Sequence, residues 1–247
     1  MSRAMSRGWV CLRNYGAGDL FFRLLHRLRL ISVHHAFEIF LGEFEQILDV
    51  DIEKISKIGE LQITFREIAS QEIDTLKVAE GFRYSETTPL TEDLKEQFRR
   101  GLRFFTVSDQ RGVVIGVEGV HTEVADLVYV HKSLVGLPKG VVYGNAALIA
   151  SSYRNRGIGG LLKKYMAHVL KQEGYTAMVT ATFLENRGAA RWHEKNHFKR
   201  WGRIRYIRLN GRDIVWTQLT EVGRQYPDLL FGRKGHVPLH ALQGVAS

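Results

Sequence analysis

Residues 151–166, SSYRNRGIGGLLKKYM, carry the strongest chemical signal in this chain. An apolar run (139–151) ends there. A short turn supplies Arg154, Asn155, Arg156, Gly157, Ile158 and Gly159, and an amphipathic segment begins at once. The first turn of a helix has unpaired N–H groups and a partial positive charge. Glycines at 157 and 159 let an anion approach the main chain with no Cβ in the way, and Arg154 and Arg156 add charge beside it. This pattern predicts a phosphate or diphosphate cradle. The competing reading is a glycine turn with solvated arginines. The spacing matches neither G-x-x-x-x-G-K-[ST] nor G-x-G-x-x-G followed by an acid, so neither a P-loop nor a dinucleotide fold is expected.

A second stretch follows the first in register. Asn186-x-x-Ala189-x-x-Trp192-His193-Glu194-Lys195-x-x-Phe198 starts 27 residues after Gly159. Together with Arg154-x-x-Gly157-x-Gly159, it resembles the GNAT superfamily of N-acetyltransferases, whose later helix commonly reads Asn-x-x-Ala-x-x-aromatic/Leu-Tyr-Glu-Lys-x-Gly-Phe. The resemblance covers roughly residues 61–210. It implies an α/β (α+β) fold with a mixed, largely antiparallel central sheet flanked by helices. It also implies direct acyl transfer from acetyl-CoA, or another acyl-CoA, to a primary amine, with no metal. The amides of Arg156, Gly157, Ile158, Gly159 and Gly160 would hold the CoA pyrophosphate, supported by Arg154. The strand end at Leu148, Ile149 and Ala150 would splay from its neighbour and bond the pantetheine arm. Asn186 would bond the pantetheine or a nearby backbone group. His193 replaces the tyrosine that often protonates the departing thiolate, and His197 stands where the family usually has glycine.

Acyl transfer to an amine needs a neutral amine, so a base or a water path must take its proton. Glu118 and His121 on one expected strand, and Tyr143 on the next, are the candidates, with Glu118 preferred on chemical grounds. Glu123 and Asn145 lie on the same strands. Each has an ordinary alternative as a solvent-facing strand residue. His193-Glu194-Lys195-Asn196-His197 also spells H-E-x-x-H, a zinc-protease pattern. That chemistry needs both histidines on one face of a long helix, whereas the segment is expected at a helix end, so the metal reading is set aside.

These residues need elements to position them. The patterning predicts a strand over 61–69, helices over 70–82 and 91–102 (the latter capped by Thr91), and a hairpin from 103–109 and 113–124. Beyond it come a buried strand near 139–151, a helix over 159–173, a strand over 175–183, a helix over 187–196, and strands over 198–209 and 213–219. The acyltransferase domain is set at 61–220, an N-terminal extension at 1–60, and a loop-like tail at 221–247. Within the extension, 19–31 reads as a basic amphipathic helix, suited either to packing on the domain or to docking on a membrane surface or an acyl carrier. Residues 36–50 fit a strand or a short helix.

Of the 247 residues, 45% are hydrophobic and 25% charged, the balance of a globular protein rather than a disordered one. The single cysteine, Cys11, excludes an internal disulfide and a multi-thiolate zinc site. The net charge of +9 is concentrated in residues 1–35, which hold six arginines and one acid, so nucleic-acid binding by the whole chain is not expected. No apolar run reaches the roughly 18 residues of a membrane span. The N-terminal apolar stretches are cut by charges, which speaks against a signal peptide. The expected location is cytoplasmic, with a peripheral membrane position for the basic helix. The expected partners are acyl-CoA and an amine acceptor. A homodimer, a long-chain acyl donor on a carrier protein, and a CoA-binding module without turnover stay open.

Overall fold

The computed structural model describes residues 21, 24–25, 27, 33–48, 62–83, 88–126, 134–209, 212–226 and 236–237. Its first strand, β1 (Val33–Glu43), runs straight into a short helix, α1 (Phe44–Leu48). The ambiguous stretch expected over 36–50 is, through residue 48, both strand and helix in succession, and residues 49–50 lie outside the described residues. β2 (Thr64–Ile68), α2 (Leu90–Arg99), β3 (Arg103–Ser108) and β4 (Val114–His121) follow. The small strands β5 (Val124–Asp126) and β6 (Leu134–Gly136) lead to β7 (Val141–Ile149) and α3 (Ile158–Gln172). The chain continues through β8 (Ala177–Phe183), α4 (Arg187–Lys195), β9 (Lys199–Leu209), β10 (Arg212–Leu219) and α5 (Glu221–Gln225), and β11 (His236–Val237) is the last described element.

Eight strands form one sheet in the order β10-β9-β1-β8-β7-β4-β3-β2. β7 and β8 are parallel, and the other neighbours in this sheet are antiparallel. A parallel pair needs a crossover, which α3 supplies. β1 lies between β8 and β9, well inside the sheet. Residues 33–48 therefore belong to the sheet and its helical cover, although they fall within the range set apart as an extension. Glu38 interrupts the apolar run of β1, which obscures its strand character in sequence. In the fold it is matched by Arg200 at 3.2 Å and Arg203 at 3.3 Å.

One face of the sheet packs Phe40, Val142 and Met178 against Leu162, Met166 and Leu170 of α3 and Phe44 and Ile47 of α1. The opposite face divides in two. Phe104, Val117 and Leu102 pack against α2 and the turn before it, while Phe37, Tyr143, Trp201 and Tyr206 form the other half.

Three expectations change. The helix expected over 70–82 is only a 3-10 turn, Ser70–Thr75. Beyond it Lys77 and Ala79 bond Val114 of β4, so that segment satisfies a strand instead of continuing as helix. The helix over 91–102 begins at Leu90 behind Pro89, so Thr91 lies inside it and is not its cap. The tail is structured at its start: Thr220 caps α5 through a bond from the Gly223 amide, and Trp201 Nε1 donates to Tyr226 O at 2.9 Å. A Cβ on Gly223 would lie 2.0 Å from Trp201 O, so only glycine fits there.

Of the basic helix at 19–31, only Phe21, Leu24, Leu25 and Arg27 are described, all helical, and the rest lies outside the described residues. No helix among the described residues is long and apolar enough to cross a membrane.

Candidate active site

β7 changes partner along its length. Val141 to Gly144 pair with Ala177 to Thr180 of β8, and the pairing stops there. Beyond that point β8 follows β1, ending with Phe183 opposite Phe37, while β7 follows β4 to Ile149 opposite Gly116. The two strands separate as a V. The separation coincides with a bulge: Val117 pairs with Leu148 and Gly119 with Asn145, so three steps on β7 oppose two on β4. A bulge bends and twists its strand. Strand amides alternate in direction, so the 145–149 edge turns part of its backbone into the gap.

The edge ends at Ile149. Leu148 and Ile149 are half-buried along it. Ala150, expected to continue it, spends both backbone groups inside the fold, its N–H on Ile115 O at 2.8 Å and its carbonyl on the Tyr153 amide at 2.9 Å.

The turn at the open end of the V has the expected form. Asn155 and Gly157 adopt φ of 61° and 80°. Gly157 precedes α3, whose first backbone bond runs from the Leu161 amide to Gly157 O. The Ile158, Gly159 and Gly160 amides precede that bond and have no intrahelical acceptor. Arg154, Asn155, Arg156 and Gly157 are exposed. Arg154 Nε donates to Ile149 O at 2.9 Å, tying the turn to the strand end, and the Arg156 guanidinium lies over the Tyr153 ring.

The two adjacent glycines do different jobs. A Cβ on Gly159 would make ordinary contacts, 3.4 Å to Ile149 and 3.6 Å to Trp192, so nothing in the protein demands glycine there. A Cβ on Gly160 would come within 2.8 Å of Asn196 Oδ1, so Gly160 serves the packing of α3 on the end of α4. A groove of about 670 Å³, lined by Lys77, Glu80, Arg111 and Ser151 to Tyr153 among others, lies beside this turn.

The four acid–base candidates are all buried, and they form two groups on opposite faces. On the α3 face Glu118 pairs with Lys163, the two side chains 2% and 1% exposed. Burial pushes the Glu118 carboxyl upward, opposed by the Lys163 ammonium. His193 packs on Phe40, Trp192 and Phe198. Burial, and then the Lys163 charge, lower it to about 3, so it is a neutral imidazole at neutral pH. On the other face His121 sits directly across from Tyr143. Burial, and then the charge of Arg100, lower His121 to about 4. Glu118 Oε2, His121 Nε2 and His193 Nδ1 have no hydrogen-bond partner among the described residues.

Asn186 caps α4, its Oδ1 accepting from the Ala189 amide at 3.1 Å, which is the backbone alternative of its two expected roles. His197 lies beyond the end of α4 with φ of 66°, so it and His193 do not share a helical face as the zinc motif requires. Among the described residues no cluster of three His, Cys, Asp or Glu side chains could hold a metal ion.

Sequence reasoning passed over Lys163 and Trp192. The signal for Lys163 was present: it follows Gly159 by four residues and precedes Met166 and Ala167 by three and four, placing it on the apolar stripe of α3. Its neighbour Lys164 is half-buried.

Residues 71–198, just over half of the chain, match the family model described as Acetyltransferase (GNAT) family. A search of curated proteins returns no match. Among solved structures, the chain is similar to a conserved protein of unknown function from Staphylococcus epidermidis, at 10% identity and a TM-score of 0.51, covering 75% of this chain and 66% of that one. It is also similar to the glucosamine N-acetyltransferase region of a fungal multi-domain β-N-acetylglucosaminidase, at 17% identity and a TM-score of 0.52, covering 76% of this chain and 22% of that one. It therefore spans less than two thirds of either structure's length. At these identities the structures speak for the fold alone. With the family match extending through both motifs, the chain belongs to the GNAT acetyltransferase family.

Proposed function

We propose that the protein transfers an acetyl group from acetyl-CoA to a primary amine, with the thioester lying in the V between β7 and β8. The observation that carries this reading is the exposed turn Arg154 to Gly157 leading into the α3 amides that have no intrahelical acceptor, joined by Arg154 to the end of β7. The amides of Arg156 to Gly160 suit a diphosphate, and the 145–149 edge suits the amide-containing pantetheine arm. The groove near Ser151 lies at the cradle end, so it would serve the nucleotide part of the ligand rather than the acyl part. A short acyl group fits the apex of the V, where Gly144 packs so closely on Met178 that a Cβ would lie 2.8 Å from its sulfur.

In this reading the amine nitrogen attacks the thioester carbonyl carbon, the C–S bond breaks, and the proton released by nitrogen ends on the CoA sulfur. Catalysis rests on alignment of the two reactants. None of the four candidate acid–base residues is exposed, so the acceptor's ammonium form is expected to lose its proton to water before the neutral amine attacks. The rate should then rise with pH along the acceptor's own titration, with no break near 4 from an enzyme histidine.

The test is release of free thiol from acetyl-CoA against a panel of amino acids, amino sugars, polyamines and peptide N-termini. Amine-dependent thiol release supports the transferase. The same burial favours a second reading, a CoA-binding module, which predicts CoA binding with no turnover on any amine.

A further inference from the structure

We propose that the buried Lys163–Glu118 ion pair is a strut that holds the V between β7 and β8 at its working width, so that both are positioning residues for CoA. The inference rests on the acetyl-CoA reading above.

Lys163 reaches from α3, the helix that begins at the anion cradle. Its ammonium meets Glu118 of β4 on one side of β7, and Met178 Sδ of β8 lies 3.5 Å away on the other. The side chain thus crosses β7 where that strand parts from β8. Gly144, the last β7 residue paired with β8, has Met178 against the place a Cβ would fill, so glycine keeps this crossing open. Glu118 projects from the β4 residue between the two register pairs that bracket the β7 bulge.

The ammonium is enclosed from above as well. It lies 5.0 Å from the Trp192 ring centroid and 5.1 Å from that of Phe198. The edge of the same Trp192 ring would lie 3.6 Å from a Cβ placed on Gly159. One cation therefore joins both strands bordering β7, the cradle helix and α4.

Burying two charges is costly, and an apolar pair of similar volume would hold a core at least as well. What an apolar pair lacks is direction. An ammonium confined between a carboxylate and two ring faces has one favourable position, whereas packed methylenes tolerate sliding. The cost is therefore consistent with control of geometry rather than with bulk stability.

The test compares wild type with K163M, E118Q and the double variant K163M/E118M. CoA affinity is measured by calorimetry, KM and kcat with acetyl-CoA, and folding by melting temperature. The double variant leaves no unpaired buried charge, so it reports on geometry even where a single variant is unstable. The expected result is a loss of CoA affinity of roughly tenfold or more in all three, carried mainly in KM, with the double variant melting near wild type. A folded double variant that binds CoA as wild type does would overturn the strut. Failure of the wild type itself to bind CoA would instead overturn the acetyl-CoA reading.

Discussion

The two halves of β7 belong to one continuous strand and do opposite things. Val141 to Gly144 are zipped to β8, buried on both faces and closed against Met178. Asn145 to Ile149 keep β4 on one side and release β8 on the other, and Ala147 is exposed although it lies well inside the strand. The first half is ordinary core. The second is a sheet edge held open within a sheet, available to a ligand that can hydrogen-bond as a strand does. The difference coincides with the bulge, and with a change from Val-Val-Tyr to the weaker strand formers Asn145, Ala146 and Ala147.

Substitutions on the two sides should therefore fail differently. The largest effect is expected in the zipped half. Gly144→Ala drives a Cβ into Met178, and overpacking of this kind costs about 1–3 kcal/mol, read as a fall in melting temperature. At the open end the sign reverses. Gly159→Ala makes only ordinary van der Waals contacts and gains helix propensity, so stability should rise by up to ~1 kcal/mol. The same Cβ narrows the space between Ile149 and Trp192 beside the α3 amides, so CoA affinity should drop about tenfold by calorimetry, a loss near 1.4 kcal/mol. A parallel loss of both quantities would erase the contrast.

The smallest effect at neutral pH belongs to His193. Its folded pKa of about 3 lies below the ordinary value near 6.5. Between those values the unfolded chain binds a proton that the folded chain refuses, so stability present above pH 6.5 is lost progressively as pH falls toward 3. His193→Phe should flatten that decline in melts between pH 7 and 4.5. His121, lowered to about 4, keeps part of it.

The glycine turn before α3 was legible in sequence because Gly157 follows an apolar strand run and precedes an amphipathic one. The order of strands and helices from residue 103 onward was legible for a related reason, since each element carries its own period and its own turn. β1 was harder. A strand buried on both faces has no alternation, and Glu38 breaks its apolar run for a reason visible only once Arg200 and Arg203 stand beside it. The 3-10 turn at Ser70–Thr75 was mistaken for a full helix because the edge of β4 that captures Lys77 to Ala79 is distant in sequence. The burial of the acid–base candidates was hidden on the same ground. Side-chain type names Glu118, His121, Tyr143 and His193, but burial depends on which helix covers which strand.

Hydrogen–deuterium exchange with and without CoA tests the account at its centre. If main-chain amides grip the ligand, CoA should slow exchange at two separated places, 156–160 at the start of α3 and 145–149 on β7, and leave 141–144 unchanged. Protection confined to side-chain-lined surfaces elsewhere, with both amide runs exchanging as in the free protein, would contradict it.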